Sequence, residues 1–280
     1  MIKIRVPATS ANMGSGFDSL GIALNLYNTY SFSYGEEDGE KSLMSEASDL
    51  VFQSIERMPE PVKVTVESHI PMSRGLGSSA ACIVAGVMAA NVYLDSPLGL
   101  TELLQLATQA EGHPDNVAPA LFGGITASLM QEGKAYTQRF LPGEDWDYVA
   151  MIPDFHLSTR KAREVLPREI PFEHGVWNAS RSGFLILALM HGRKDLLPLA
   201  LEDRLHENYR KSLIPDFDDI KKALRRTGEE AIYLSGAGPT MLCISENGEQ
   251  IKKLFEHLSL KNTWEVKILH PDLEGAKILR

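Results

Sequence analysis

The chain has 280 residues, of which 44% are hydrophobic and 23% charged, enough apolar material for a sizeable buried core and too much for a disordered chain. Its net charge is −9, and no basic run is longer than Arg225-Arg226 or Lys252-Lys253, which argues against a nucleic-acid groove or a patch for anionic membranes. An anionic ligand therefore has to be held by locally placed backbone amides and single arginines, against the overall field.

The two cysteines, Cys82 and Cys243, lie in apolar stretches and predict buried thiols in a reducing compartment rather than a disulfide. The first residues lack the apolar core of a signal peptide, and the run Ala80 to Leu94 is too short to span a bilayer, so the expected location is cytoplasmic.

In chain order, Ile2-Ile4-Val6, Tyr30-Phe32-Tyr34 and Val62-Val64-Val66 alternate with polar residues as half-buried strands do. Ser48 to Met58 reads as a helix stopped by the prolines at 59 and 61. Ala80 to Leu94, without alternation and rich in alanine, predicts a helix buried nearly all round, and Glu102 to Glu111 an amphipathic one. Pro114 and Pro119 are expected to interrupt regular structure before a strand over Ile125 to Met130.

The polar break Gly143-Glu144-Asp145 suggests two domains, residues 1–145 and 146–280. The second half reads as a strand over Tyr148 to Ile152, helices over Lys161 to Leu166, Gly183 to His191 and Asp195 to Leu201, and a polar stretch from Glu202 to Arg210. A helix over Asp216 to Thr227, strands over Ala231 to Leu234 and Met241 to Ile244, a helix over Glu249 to His257 and a strand over Val266 to Leu269 follow. Mixed elements with hairpin-like neighbours predict an α+β fold.

Four stretches carry chemistry. In Pro71-Met72-Ser73-Arg74-Gly75-Leu76-Gly77-Ser78-Ser79-Ala80-Ala81 the glycines let the backbone approach a ligand, and the helix that follows offers free amides and a positive dipole to a phosphate. No Lys-Ser or Lys-Thr pair follows the second glycine, so this is not a Walker loop, and the serines can cap the helix. In Pro7-Ala8-Thr9-Ser10-Ala11-Asn12-Met13-Gly14-Ser15-Gly16-Phe17-Asp18, Asn12 and Asp18 are the groups able to address a ligand, or to close Asx turns on their own backbone. Leu234-Ser235-Gly236-Ala237-Gly238-Pro239-Thr240 by itself marks a tight loop between strands. In Glu111-Gly112-His113-Pro114-Asp115-Asn116 the oxygen donors suit a hard cation better than a transition metal, while each residue alone is equally a surface or loop side chain.

Together these motifs resemble the galactokinase, homoserine kinase, mevalonate kinase and phosphomevalonate kinase (GHMP) superfamily, and within it the homoserine kinase branch. The three loops occur in family order between residues 7 and 240. The resemblance implies an α+β fold of two domains, the second ferredoxin-like, with the active site in the cleft between them. It implies ATP and Mg²⁺ under residues 71–81, Ser78 and Glu111 on the metal, and Asp115 and Asn116 at the reacting centre.

The same resemblance implies that Asn12, Asp18, His113 and Gly236 stand around L-homoserine, and that Arg181 or Arg210 holds its carboxylate, with Arg181 slightly favoured by its Asn-Ala-Ser-Arg context. The reaction it implies is ATP-dependent phosphorylation of L-homoserine to O-phospho-L-homoserine, in threonine biosynthesis. A homodimer is left open, and so are another kinase of the superfamily and a ligand-binding relative without activity. Mevalonate kinases, which the chain also resembles, carry an aspartate base near position 116. An amide there cannot take a proton, so the expected transfer is driven by orientation and metal, with the hydroxyl proton passing to the phosphate or to water.

Overall fold

The computed structural model describes residues 1–36 and 41–279. Strand β1 (Ile2–Ala11) runs antiparallel to the long β2 (Leu20–Tyr34), and Ile4, Val6 and Ala8 point into the core as their alternation requires. The far half of β2 pairs with β3 (Val62–Glu67) and its first residues with β4 (Ile125–Gln131), which forms a hairpin with β5 (Lys134–Phe140). That hairpin turns on Glu132 and Gly133, both at positive φ.

Four helices cover this sheet: α1 (Leu43–Ser54), α2 (Ser78–Tyr93), α3 (Leu100–Glu111) and α4 (Pro114–Phe122). The first starts earlier than its hydrophobic pattern suggests, because Ser42 and Ser45 form a reciprocal capping box. α2 is buried without a break from Ala80 to Asn91 except at Cys82, which is half-buried.

The expectation that Pro114 and Pro119 interrupt regular structure is overturned, since both lie within α4. Pro114 takes the first helical position, where its missing N–H costs nothing. Pro119 cannot bond the Asp115 carbonyl, and β2 packs against that oxygen at Gly21, where a Cβ would come within 2.0 Å of it.

The second sheet is antiparallel, with β6 (Asp147–Pro153), β7 (Ile232–Leu234), β8 (Met241–Ser245) and β9 (Trp264–Leu269) in the order β7-β8-β6-β9. Counted along the chain this is 4-1-3-2 read from the β9 edge, the ferredoxin-like order. Between β6 and β7 come α5 (Thr159–Glu164), α6 (Phe172–Met190) and two single-turn helices, α7 (Leu197–Ala200) and α8 (Glu207–Arg210), followed by α9 (Phe217–Arg226). α10 (Gly248–Phe255) joins β8 to β9. α6 begins well before the expected Gly183, and the polar stretch after it contains the turn of α8.

Alternation along β6 joins the halves. Val149 and Met151 pack with Phe217, Ile220 and Ile251 in a cluster of the second half, whereas Tyr148, Ala150 and Ile152 belong to the large core shared with the first sheet. The last strand, β10 (Lys277–Leu279), returns to pair with the outer edge of β1, so the first sheet draws on both ends of the described chain.

Candidate active site

Three loops are stitched together where the two sheets meet. The Ser235 hydroxyl donates to the Gly75 carbonyl at 2.6 Å, the Gly236 amide donates to the Ala11 carbonyl at 2.8 Å, and the Thr9 amide donates to the Leu76 carbonyl at 3.2 Å. Gly75 (φ +80°) and Gly77 (φ +69°) are required by these approaches. A Cβ at Gly75 would meet the Ser235 carbonyl at 2.4 Å, and one at Gly77 would meet the Thr9 hydroxyl at 1.9 Å. The glycine spacing thus serves the joining of loops as well as room for a ligand.

Between the loops opens a cleft of about 520 Å³. Asn12, Asp18, Met72, Ser73, Gly75, Gly77, Ser78, Ser79, Glu111, His113, Asp115, Asn116, Arg210 and Gly236, all expected from the sequence, line it. Leu76, Ala80 and Ala81 instead anchor the loop in the core. Arg74 ties it to the end of β6 through the Pro153 and Asp154 carbonyls, and Pro71 stands outside the lining.

At one end of the cleft α2 starts at Gly77 with no side chain capping its first amides. The serine cap expected there is not made: Ser79 donates to Glu111 Oε2 at 2.8 Å, joining the start of α2 to the end of α3. Burial pushes the Glu111 carboxyl above its ordinary pKa, and the Ser79 hydroxyl partly offsets this. Uncapped amides beside two hard oxygens form a place for a phosphate chain and a small divalent cation.

At the other end, Asn12 and Asp18 both adopt left-handed backbone, and the Asn12 side-chain oxygen accepts from the Asp18 amide at 2.8 Å. The Asx-turn reading of Asn12 is therefore correct for its oxygen, which leaves the amide nitrogen to face the cleft. Asp18 accepts from Arg163 Nη2 at 3.0 Å and stands 4.0 Å from His113 Nδ1. Burial lowers the His113 pKa, with Asp18 acting against it and Arg163 with it.

Arg163, from α5, is the charged residue of the cleft lining that sequence reasoning missed. In Thr159-Arg160-Lys161-Ala162-Arg163-Glu164 three cations compete, and only the docking of α5 shows which one faces the cleft. Of the two arginines singled out, Arg210 lies in the cleft and Arg181 does not. Arg181 stacks 3.3 Å over the Trp177 ring and pairs with Glu202 at 3.5 Å.

Arg210 is the largest fully buried side chain, with Nε donating to the Ala162 carbonyl and Nη1 to the Gly236 carbonyl at 3.0 Å. Burial lowers its pKa to about 10, assisted by the nearby charge of Arg163. Nη1 also meets His206 Nδ1 at 3.3 Å, which assigns the ring proton to Nε2, the atom 3.3 Å from the Gly14 carbonyl. Asp203 gathers the start of α8 by accepting from the His206 and Glu207 amides and from Asn178. Its own burial would raise its pKa, but His206 and these hydrogen bonds outweigh that and hold it below the usual range.

At the floor, Asn116 Oδ1 accepts from the Thr9 hydroxyl at 2.8 Å, so its amide nitrogen is the group offered to a ligand. Asp115 is almost wholly buried. Desolvation pushes its pKa up to about 7, the charges of Asp18 and Glu111 add to this, and Arg163 opposes it.

Residues 42–124 match the family described as GHMP kinases N terminal domain, and residues 185–262 match GHMP kinases C terminal. With the glycine loop, the uncapped helix start and the interdomain cleft, these matches define the class as a GHMP kinase. A homoserine kinase of Clostridium botulinum is 40% identical, the alignment covering 100% of this chain and 99% of that protein, and one of Caldicellulosiruptor saccharolyticus is 38% identical over 99% and 96%. The crystal structure of a homoserine kinase from Cytophaga hutchinsonii superposes with a TM-score of 0.87 at 26% identity, covering 99% of this chain and 97% of that one. The chain belongs to the homoserine kinase family of the GHMP kinases.

Proposed function

We propose that the protein transfers the γ-phosphoryl group of ATP to the side-chain hydroxyl of L-homoserine, releasing ADP and O-phospho-L-homoserine. The observation that carries the substrate is the charge pattern at the far end of the cleft, where the Asp18 carboxylate sits 3.0 Å from Arg163 and Arg210 lines the same wall. An amino-acid zwitterion has the complementary pattern, its ammonium turned to Asp18 and its carboxylate to the two guanidinium groups. A neutral sugar or polyol carries no charges to complement Asp18, Arg163 and Arg210.

Phosphoryl transfer depends on positioning and charge neutralisation more than on covalent help. The uncapped amides of α2 and the 73–77 backbone hold the phosphate chain. Glu111 with Ser79, and Ser78 beside them in the lining, are the residues that would hold Mg²⁺, which when bound neutralises charge on the phosphates. Asn116, fixed by Thr9, directs an N–H toward the transferring group. Asp115, ionised in part near neutral pH, accepts the hydroxyl proton, a role that Asn116 cannot fill.

An ADP-release assay over homoserine, mevalonate, galactose and shikimate tests the proposal. Turnover with homoserine well above the others is expected. Preference for a neutral alcohol, or no ADP release with any of them, overturns the reading.

A further inference from the structure

The guanidinium of Arg210 is held by three separate elements before any ligand arrives. Nε donates to the Ala162 carbonyl of α5 at 3.2 Å, and Nη1 donates to the Gly236 carbonyl of the loop after β7 at 3.0 Å and to His206 Nδ1 at 3.3 Å. Among the described residues Nη2 has no hydrogen-bond partner, so its N–H groups are the donors that Arg210 offers to a ligand in the cleft.

His206 differs from the two carbonyls in what its far side touches. Its ring is fully buried, stacks on Phe17 with 5.0 Å between centroids, and turns Nε2 to the Gly14 carbonyl 3.3 Å away. Gly14 and Phe17 belong to the loop that carries Asn12 and Asp18, and the Phe17 ring centre is itself 5.2 Å from the Arg210 guanidinium. We propose that His206 is a positioning residue: through Nδ1 it sets where Arg210 presents Nη2, and through Nε2 and the Phe17 stack it fixes that point relative to the Asp18 loop. The inference rests on the functional reading above, in which an amino acid turns its carboxylate to Arg210 and its ammonium to Asp18. One ring then gauges the distance between the two.

An imidazole suits this place because it accepts from a guanidinium without cancelling its charge. A carboxylate at the same point would form an ion pair with Arg210 and compete with the carboxylate of the ligand. The carboxylates nearby are engaged elsewhere: Asp203 accepts from the amides of His206 and Glu207, and Glu207 pairs with Lys221 and accepts from the Leu234 amide. Burial holds the His206 pKa below its ordinary value, with Asp203 acting against this and Arg210 with it, so the ring stays neutral. The backbone is fixed as well. The Arg210 amide donates to the His206 carbonyl at 3.0 Å, closing a turn that sets residues 206 and 210 on one face.

Steady-state kinetics on variants of the full chain test the role. Asn carries its side-chain oxygen where the imidazole has Nδ1, whereas Gln places its amide nearer Nε2 and Leu offers no acceptor. His206→Asn is expected to keep KM for homoserine within about threefold, while His206→Gln and His206→Leu raise it about tenfold or more, the scale of one hydrogen bond to a charged group. KM for ATP is expected to stay unchanged in all three. In an Arg210→Ala background the His206→Gln change is expected to add less than about twofold, since the group it positions is gone. Equal KM values for homoserine in the Asn and Gln variants, a rise shared by ATP, or a full effect of His206→Gln without Arg210 overturns the inference. So does failure of all three single variants to fold, judged by circular dichroism, which makes His206 a structural residue. A wild type that does not phosphorylate homoserine overturns the functional reading itself, and the inference with it.

Discussion

Thr9 in β1 donates its hydroxyl hydrogen to Asn116 in α4 at 2.8 Å, across 107 positions of sequence. The bond fixes which end of the Asn116 amide faces the cleft, and the Thr9 side chain also fills the space beneath Gly77. Thr9→Val keeps the shape and removes the donor. It is expected to lower kcat about ten- to a hundredfold through misalignment, with KM for ATP nearly unchanged and the fold intact. Steady-state kinetics would sink the assignment by showing a wild-type kcat.

Glu111→Gln is expected to lower kcat about a hundredfold or more, because losing a carboxylate weakens both the hold on the cation and the neutralisation of charge in transfer. Mg²⁺ titrations at saturating ATP should show a raised half-saturation concentration. Near-normal turnover with an unshifted Mg²⁺ dependence would reduce Glu111 to a partner of Ser79.

Asp115 makes stability depend on pH in the direction opposite to a salt-bridged carboxylate. Its folded pKa is raised to about 7 from 3.8, so the folded state holds the proton more tightly than the unfolded chain does. The stability this contributes is fully present below about pH 4 and is lost as pH rises through about 7. Asp115→Asn is therefore expected to stabilise the ligand-free protein at pH 8 by on the order of 2–4 kcal/mol, with little gain at pH 4. The same change should lower kcat about a hundredfold or more by removing the proton acceptor. Denaturant melts at the two pH values and the rate assay check the two halves separately, and a variant with full activity would return the proton to a phosphate oxygen or to water.

The arginines divide by position. Arg163→Ala is expected to raise KM for homoserine about tenfold, a modest effect because the side chain is partly solvated. Arg181→Ala should leave KM for both substrates unchanged, since its partners are Trp177 and Glu202. Equal defects in the two variants would mean that the carboxylate sits elsewhere.

Local pattern carried the strands that alternate, the buried α2 and the loops whose glycines permit close approach, because each is decided within a few residues. Where several strongly patterned elements must meet, the pattern was silent. Nothing in Glu132-Gly133 alone announces β5, whose exposed residues lack a clean alternation, and β10 is three residues long and exists by pairing with β1. The prolines of α4 misled for a related reason. Whether a proline ends a helix depends on what receives the carbonyl it leaves unbonded, here the approach of β2 at Gly21.

The site divides in the same way. Asn12, Asp18, Glu111, Asp115 and Asn116 lie in loops and helix ends with distinctive composition. Arg163 and Arg210 sit in short polar helices that resemble surface elsewhere, and tertiary docking alone separates Arg210 from Arg181.

The pairing of β10 with β1 has a consequence for the chain's behaviour outside the cleft. β1 would otherwise end the first sheet with a row of open amides and carbonyls, next to apolar positions such as Ile2 and Ile4. β10 covers that row. Removing residues from 277 onward leaves the cleft residues in place but turns β1 into a bare sheet margin, a template onto which an extended segment of another chain can add. Chains shortened there are destined for sticky, concentration-driven clumping rather than for a simple loss of chemistry.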